Sequence, residues 1–409
     1  MIIIHGMESV GRAASSALGA ALDAMAVVVL TGARQTGKST LAREIGGDDR
    51  LYLTLDDFDV LSQAGDDPDG LVARAPRQTL DEVQRAPALL LAIKRAVDRR
   101  RQRGRFLLTG SANLALLDKV AESLAGRASY LSLWPMTRRE QLGKGRCGIW
   151  QELLDAPDDT WPAVLKAHRE PPEDWRSLAT RGGYPTPALE LTAPQREIWF
   201  AGYTQTYLER DVAQISAIAN LPDLRRLMRA VCLRIGQLTN QTELARDVAL
   251  PQATVHRWLN VLEASYQLVR VPAYAVNRTK RLIKTPKVYW SDTGLALHLS
   301  GARPDGPHLE NLVLNDLLVW RDSQVMRPEV LYWRTAAGEE VDFVIEAKGR
   351  LLPIEVKATA RPRTGDARHL QSFRAEYGSA ARPGLVLHTG TAIEWLAPGI
   401  LAAPWSAVL

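Results

Sequence analysis

The chain has 409 residues, long for a single core, so roughly two to four domains are expected. A hydrophobic fraction of 46% beside 24% charged residues is ordinary for a globular protein and excludes a low-complexity one. The net charge of +5 hints only mildly at anionic partners. Two cysteines, Cys147 and Cys232, exclude a disulfide framework and a thiolate metal site and fit a reducing compartment. The opening MIIIHGMESV lacks the basic and apolar regions of a signal peptide, and no apolar run approaches the ~18 residues of a membrane span. A cytoplasmic protein without membrane contact is expected.

The first informative stretch, AVVVLTGARQTGKSTLAREIG (26–46), reads as strand, loop and helix. Its loop, from Gly32 through Ala33, Arg34, Gln35, Thr36 and Gly37 to Lys38 and Ser39, fits G-x-x-x-x-G-K-[ST]. Glycines let backbone N–H groups curl around phosphate oxygens, and the helix N-terminus adds partial positive charge. Lys38 would neutralise the β- and γ-phosphates of ATP, Ser39 would ligate Mg²⁺, and Thr40 offers a second hydroxyl. QTLDEVQRAP (78–87) would add Asp81 on the Mg²⁺ side and Glu82 as the base that polarises water. The residues before Asp81 are polar, so a solvent-exposed Asp-Glu pair is the competing reading. GRFLLTGSANL (104–114) is a buried-looking strand ending in Thr109, Ser111 and Asn113, polar groups placed to sense the γ-phosphate. Arg127 precedes another strand and would reach a γ-phosphate in its own or a neighbouring subunit, or else caps a helix end.

From Trp134 to about Pro194 the pattern loosens into helices and Pro-rich loops, read as a lid or connector. In RGGYPTP, Gly182 and Gly183 permit close backbone approach. FAGYTQTYLERDVAQI (200–215) is helical, with Arg210 able to pair with Asp211 or reach nucleotide. Helices are expected at Gln241–Val248 and Gln252–Ser265, with a turn at Leu250-Pro251: a helix-turn-helix. The strand YQLVRVPAY and the basic NRTKRLIKTPKVYW (277–290) would complete a wing. On DNA, Thr254, His256, Arg257 and Asn260 would face the groove while Arg278, Lys280, Arg281 and Lys284 met phosphate. The alternative is a winged helix used for protein packing.

HLENLVLNDLLVWR (308–321) is an amphipathic helix carrying Glu310. Three strands follow, at 330–335, then ending at Asp342, then carrying Glu355 and Lys357, with a turn at Lys348-Gly349-Arg350 between the last two runs. A helix (369–378) and a strand (383–390) complete the pattern. This order, with an acid, an Asp and Glu-x-Lys, resembles the PD-(D/E)XK nuclease superfamily. The resemblance implies that Glu310, Asp342 and Glu355 hold Mg²⁺ or Mn²⁺ and that Lys357 positions or deprotonates water. A salt-bridged strand pair is the alternative.

Taken together, GARQTGKST, LDEVQRAP, LLTGS, LAGR, RGGYP, YLERD and the Asp…Glu-x-Lys strand pair resemble bacterial and archaeal ATP-binding proteins. These carry an AAA-type N-terminal domain and a C-terminal DUF4143 domain. The chain departs from that pattern in its polar strand before Asp81 and in having Thr or Ser where many AAA+ proteins carry a sensor asparagine. The expected fold class is α/β. A P-loop AAA+-like parallel-sheet domain would span 1–135, a helical connector 136–215, a winged helix-turn-helix 216–300 and an α/β restriction-endonuclease-like domain 301–409. The implied function is an Mg²⁺-dependent ATPase acting on DNA, with a nuclease-like C-terminal domain and a possible homo-oligomeric state. The alternative is an ATP-switched regulatory module whose C-terminal domain binds a partner without cutting.

Overall fold

The computed structural model describes residues 10–47, 49–110, 124–208, 220–277, 281 and 284–409. The expectations for Ser111, Asn113, Arg210, Asp211, Arg278 and Lys280 lie outside these residues.

Strands β1 (Val27–Thr31), β2 (Leu51–Thr54), β3 (Gln78–Asp81), β4 (Phe106–Thr109) and β5 (Ala128–Ser132) form a sheet in the order β2-β3-β4-β1-β5. Every pairing in it is parallel. β1 is buried along its whole length, which is why it reads as an unbroken apolar run. Val28 and Leu30 face helices Ala14–Ala24 and Lys38–Gly46, packing on Leu18 and Leu41. Val27 and Val29 face the opposite layer, which includes helix Leu89–Arg99 and its Leu89 and Ile93. The sheet is thus covered on both faces, and the β1–helix loop opens at its carboxyl edge, where parallel sheets bind ligands.

The polar segment before Asp81 is exposed at Pro76 and Arg77 and buried from Gln78 onward. Gln78 and Thr79 are fully buried in β3, between β2 and β4. The Gln78 amide donates to the carbonyls of Val72 (2.8 Å) and Ala75 (3.1 Å), which satisfies its nitrogen, whereas Gln78 Oε1 and Thr79 Oγ1 have no partner among the described residues.

The middle of the chain is mostly helical. Helices Gln241–Asp247 and Gln252–Ala264, each one residue shorter than expected, meet at a turn where Ala249 has φ +51°. They pack with helix Leu221–Cys232 and the antiparallel ribbon of β6 (Leu268–Val271) and β7 (Lys287–Trp290).

The third unit is a sheet of β8 (Glu329–Arg334), β9 (Glu340–Ala347), β10 (Arg350–Lys357), β11 (Gly384–His388), β12 (Glu394–Ala397) and β13 (Ile400–Pro404). Its order is β12-β13-β11-β10-β9-β8. β8–β9–β10 is an antiparallel meander, whereas β10, β11 and β13 run parallel. β9 and β10 are joined at Lys348 (φ +50°) and Gly349 (φ +76°), the left-handed pair that a tight two-residue hairpin requires. Helix Gly306–Asp322 covers one face, and helix Arg368–Tyr377 the other. Strands β12 and β13 were not expected from the sequence. Among the described residues no helix is long and apolar enough to cross a membrane.

Candidate functional site

The loop after β1 has the backbone its glycines suggested. Gly32 has φ +144°, and a Cβ there would collide with the Leu133 carbonyl oxygen. Gly37 (φ +91°) precedes helix Lys38–Gly46 in a left-handed conformation. Gln35 also adopts a left-handed φ of +64°, a strained choice for a residue with a side chain. The Lys38 ammonium folds across the loop and donates to the carbonyls of Gly32 (3.1 Å) and Ala33 (2.7 Å). Thr40 is exposed one turn along. Sequence reasoning missed Arg12. Its buried guanidinium donates to Thr36 O (2.7 Å) and Trp134 O (2.7 Å) and pairs with Glu140 (3.0 Å), clamping the loop from behind.

Asp81 stands at the carboxyl end of β3 beside this loop. Its Oδ1 accepts from Ser39 Oγ (3.0 Å) and from Thr109 Oγ1, and its Oδ2 accepts from Tyr52 Oη (2.6 Å). Thr109, expected as a γ-phosphate sensor, is thereby engaged with Asp81. Glu82 follows at φ +60°, its backbone N–H donating to Thr109 Oγ1 (3.4 Å) and its carboxylate accepting from Gln84. Burial raises the Glu82 carboxyl above its usual range, with Lys38 pulling the other way.

Arg127 is not brought to this loop. It precedes β5, whose Ala128 is in register with Val27 at the start of β1, whereas the loop leaves β1 after Thr31. A strand of that length spans about 16 Å. At this far edge Arg127 makes a bidentate pair with Asp98 (2.6 and 3.0 Å), which corrects the expectation that it reaches its own chain's nucleotide.

The middle segment meets the loop instead. Tyr203 Oη donates to Arg34 O (3.4 Å), and Tyr266 Oη shares a 2.7 Å hydrogen bond with Thr31 Oγ1. Tyr266 takes φ +58° just beyond helix Gln252–Ala264 and packs edge-on against Trp134. In RGGYP, a Cβ at Gly182 or Gly183 would clash with Asp292 or Met136 respectively. The Gly183 N–H donates to Asp292 Oδ2 (2.6 Å), and Pro185 approaches Gly37.

In the C-terminal unit, continuing the β9–β10 register from Phe343↔Ile354 sets Asp342 opposite Glu355. Glu310 projects from helix Gly306–Asp322 and accepts from Tyr289 Oη (3.1 Å). The four residues named from sequence therefore do converge. An ammonium enters the same cluster: Lys287 Nζ lies 3.3 Å from Asp342 Oδ1 and 2.5 Å from Oε1 of Glu340, a carboxylate the sequence reading did not name. The other Asp342 oxygen accepts from Val356 N (2.9 Å), and Lys357 Nζ donates to Glu355 Oε1 (2.6 Å). Burial and the neighbouring Asp342 push the Glu310 carboxyl far above its usual range and that of Glu355 up to about 8. Among the described residues no group of three or more His, Cys, Asp or Glu is arranged to hold a metal ion. The three carboxylates expected to hold Mn²⁺ or Mg²⁺ are engaged within the protein instead: Glu310 by Tyr289, Asp342 by Lys287 and Val356, and Glu355 by Lys357.

Of the basic residues assigned to DNA, Arg257 of the groove-facing set and Lys284 of the phosphate-facing set are exposed. Arg281 is not available. It is buried, donates to Ala275 O (2.7 Å) and pairs with Glu329 (2.7 Å) and Glu346 (2.5 Å), correcting the expectation that it meets phosphate.

Comparison with known proteins places these features. An AAA domain family matches residues 25–142, a domain of unknown function (DUF8612) matches 172–306, and the domain of unknown function DUF4143 matches 305–408. An uncharacterised protein of Mycobacterium tuberculosis is 31% identical over 363 residues, covering 86% of this chain and 74% of that one. The chain belongs to the family of AAA-domain proteins with a C-terminal DUF4143 domain. An uncharacterised Haemophilus influenzae protein is 20% identical over 379 residues, covering 86% of this chain and 87% of that one. Among solved structures, the Walker-type ATPase of Pyrococcus abyssi aligns at 14% identity and a TM-score of 0.42, covering 70% of this chain and 94% of that one.

In this AAA–DUF4143 protein the N-terminal unit is an ATPase-like domain. Two of its positioning residues, Arg12 and Tyr52, were missed, and so was Lys287 in the C-terminal cluster. Only the last had a signal in the sequence: a lysine opening an otherwise apolar KVYW strand is a charge that must find a buried partner.

Proposed function

We propose that this protein binds and hydrolyses ATP with Mg²⁺ and uses the nucleotide to switch the arrangement of its middle and C-terminal units. One observation carries the reading. The Asp81 carboxylate is fixed by the hydroxyls of Ser39, Tyr52 and Thr109 at the carboxyl edge of the sheet, directly beside the Lys38 loop. The residues fit the nucleotide and its metal. The positive φ of Gly32 and Gly37 curls the loop so that its backbone N–H groups are available to phosphate oxygens, and the Ser39–Asp81 pair is the oxygen set a hard cation takes. Bound Mg²⁺ would supply charge neutralisation for the phosphates. Lys38 would release its loop carbonyls for phosphate oxygens, and Glu82 would take a proton from water. The pKa of Glu82, raised by burial, suits a base working nearer neutrality. The switch is supported by the hydroxyls of Tyr203 and Tyr266, which tie the middle unit to Arg34 and Thr31 on the loop and its root.

In this reading the C-terminal unit recruits a partner and does not cut DNA. A second reading, contact with DNA through the middle unit, is favoured by the exposed face of helix Gln252–Ala264 carrying His256, Arg257 and Asn260. Nucleotide titration and steady-state hydrolysis test the principal proposal. Lys38→Ala should reduce ATP affinity at least tenfold, whereas Glu82→Gln should retain binding and lose hydrolysis. Equal hydrolysis by wild type and Glu82→Gln would remove Glu82 as the base.

A further inference from the structure

The resemblance of the C-terminal unit to metal-dependent nucleases implies a divalent cation between Asp342 and Glu355, and the residues present do not fit one. Asp342 spends one oxygen on Lys287 (3.3 Å) and the other on the backbone N–H of Val356 (2.9 Å). Glu340 is held between Lys287 (2.5 Å) and Arg334 (3.2 Å). Glu355 gives one oxygen to Lys357 (2.6 Å), and its other oxygen is buried without a hydrogen-bond partner among the described residues. Mg²⁺ demands close to six oxygens at about 2.1 Å, and an ammonium already bound to the same carboxylate would repel it.

We propose that Lys287 is the resident cation of this carboxylate cluster, so that its ammonium and a divalent metal ion exclude one another there. The placement of Lys287 is set by its strand. It opens β7, lies in register with Val271 of β6 and bridges to Leu238, so the side chain enters the cluster from a fixed ribbon. Its exposure is 2%. Burial works against its charge, but the carboxylates of Asp342, Glu310 and Glu340 more than offset this and keep it protonated. Lys287 also lies outside residues 305–408 that match DUF4143, within the stretch that matches DUF8612. The cluster of one unit is therefore closed by a cation from another. The buried, unpartnered oxygen of Glu355 is the ligand atom that a metal would gain if Lys287 were gone.

The test is Mn²⁺ titration of the full chain without nucleotide, read by calorimetry and by the Mn²⁺ electron-spin signal, on wild type, Lys287→Ala and Lys287→Ala/Asp342→Asn. Wild type should show no Asp342-dependent site. Lys287→Ala should gain one, at least tenfold tighter than anything in wild type, and the double variant should lose it. Because Lys287→Ala leaves carboxylates uncompensated, Lys287→Gln serves as a milder second variant. Thermal unfolding is the second readout: Mn²⁺ should raise the melting temperature of either Lys287 variant and leave that of wild type unchanged. Two results overturn the proposal. One is a wild-type Mn²⁺ site lost in Asp342→Asn. The other is a folded Lys287 variant that gains no site. The ATPase reading survives either, since none of these residues touches the Lys38 loop.

Discussion

At the scale of single residues, the carboxylate of Asp81 shows how much placement matters beyond identity. Its candidacy was legible from the Asp-Glu pair, but its orientation comes from Ser39 and Thr109 and from Tyr52, which enters from β2 and whose ring is covered by the Arg43 guanidinium at 4.3 Å. Burial and Asp81 hold the Tyr52 hydroxyl protonated, so it acts as a donor at any working pH. Tyr52→Phe removes one charge-assisted hydrogen bond, which costs about 1.5–3 kcal/mol where the carboxylate finds no substitute. ATP affinity should change little, while hydrolysis should fall about tenfold and require more Mg²⁺ for half-maximal rate. A Mg²⁺ titration of the hydrolysis rate separates this from a structural effect, because mere destabilisation would leave the Mg²⁺ midpoint where it is. Tyr52 was invisible in the sequence for a topological reason: it meets Asp81 only because β2 is the neighbour of β3. Arg12 was invisible likewise, since its partners Thr36, Trp134 and Glu140 are scattered along the chain.

At the scale of elements, local signals served best where one residue type is required by backbone geometry. The Lys348-Gly349 hairpin, the Gly32 and Gly37 loop and the Gly182-Gly183 approach could be read directly, because a Cβ or a negative φ would not fit. β3 was harder. Its Gln78 and Thr79 resemble a surface run; in the sheet the Gln78 amide nitrogen bonds Val72 and Ala75, while Gln78 Oε1 and Thr79 Oγ1 are buried without a partner among the described residues. The basic ribbon was misleading in the opposite sense: Arg281 and Lys287 carry charge that neutralises carboxylates inside the protein. Of the basic residues assigned to DNA, the exposed ones among the described residues are Arg257 and Lys284. Each phosphate contact contributes about −0.9 to the slope of log K against log salt. Arg257→Ala/Lys284→Ala should flatten that slope by about 1–2 units, measured by fluorescence anisotropy on a short duplex, whereas Arg281→Ala should act mainly by lowering stability. An unchanged slope in the double variant would assign the helix pair to protein packing.

At the scale of the whole molecule, one contiguous core runs from Trp134 and Trp150 through the middle helices to Trp405 and Leu409, so the middle and C-terminal units share an interior. Asp316 is a buried polar pin in that interior. Its Oδ1 accepts from Gly148 N (2.8 Å) and Trp150 Nε1 (2.6 Å), and its Oδ2 has no partner among the described residues. Burial outweighs those two donors and nearby Arg139 and lifts the carboxyl to about 6 from an ordinary 3.8. The folded protein thus holds a proton that the unfolded chain has released between those values. The associated stability is fully present below about pH 4 and is lost as pH rises through about 6. Asp316→Asn keeps an oxygen for Gly148 and Trp150 and has no charge to bury. Its amide nitrogen would bury two unpaired N–H donors where the protonated wild-type Oδ2 buries one O–H, so the variant should be less stable than wild type by about 1 kcal/mol in mild acid. The difference should move in the variant's favour by roughly 1.4 kcal/mol between pH 5 and 7.5, as wild type comes to carry a buried carboxylate. Urea unfolding of both proteins across this range gives the difference directly. A deficit that stays constant with pH would mean that Asp316 is ionised throughout, held by Arg139, and that the shared core tolerates its charge.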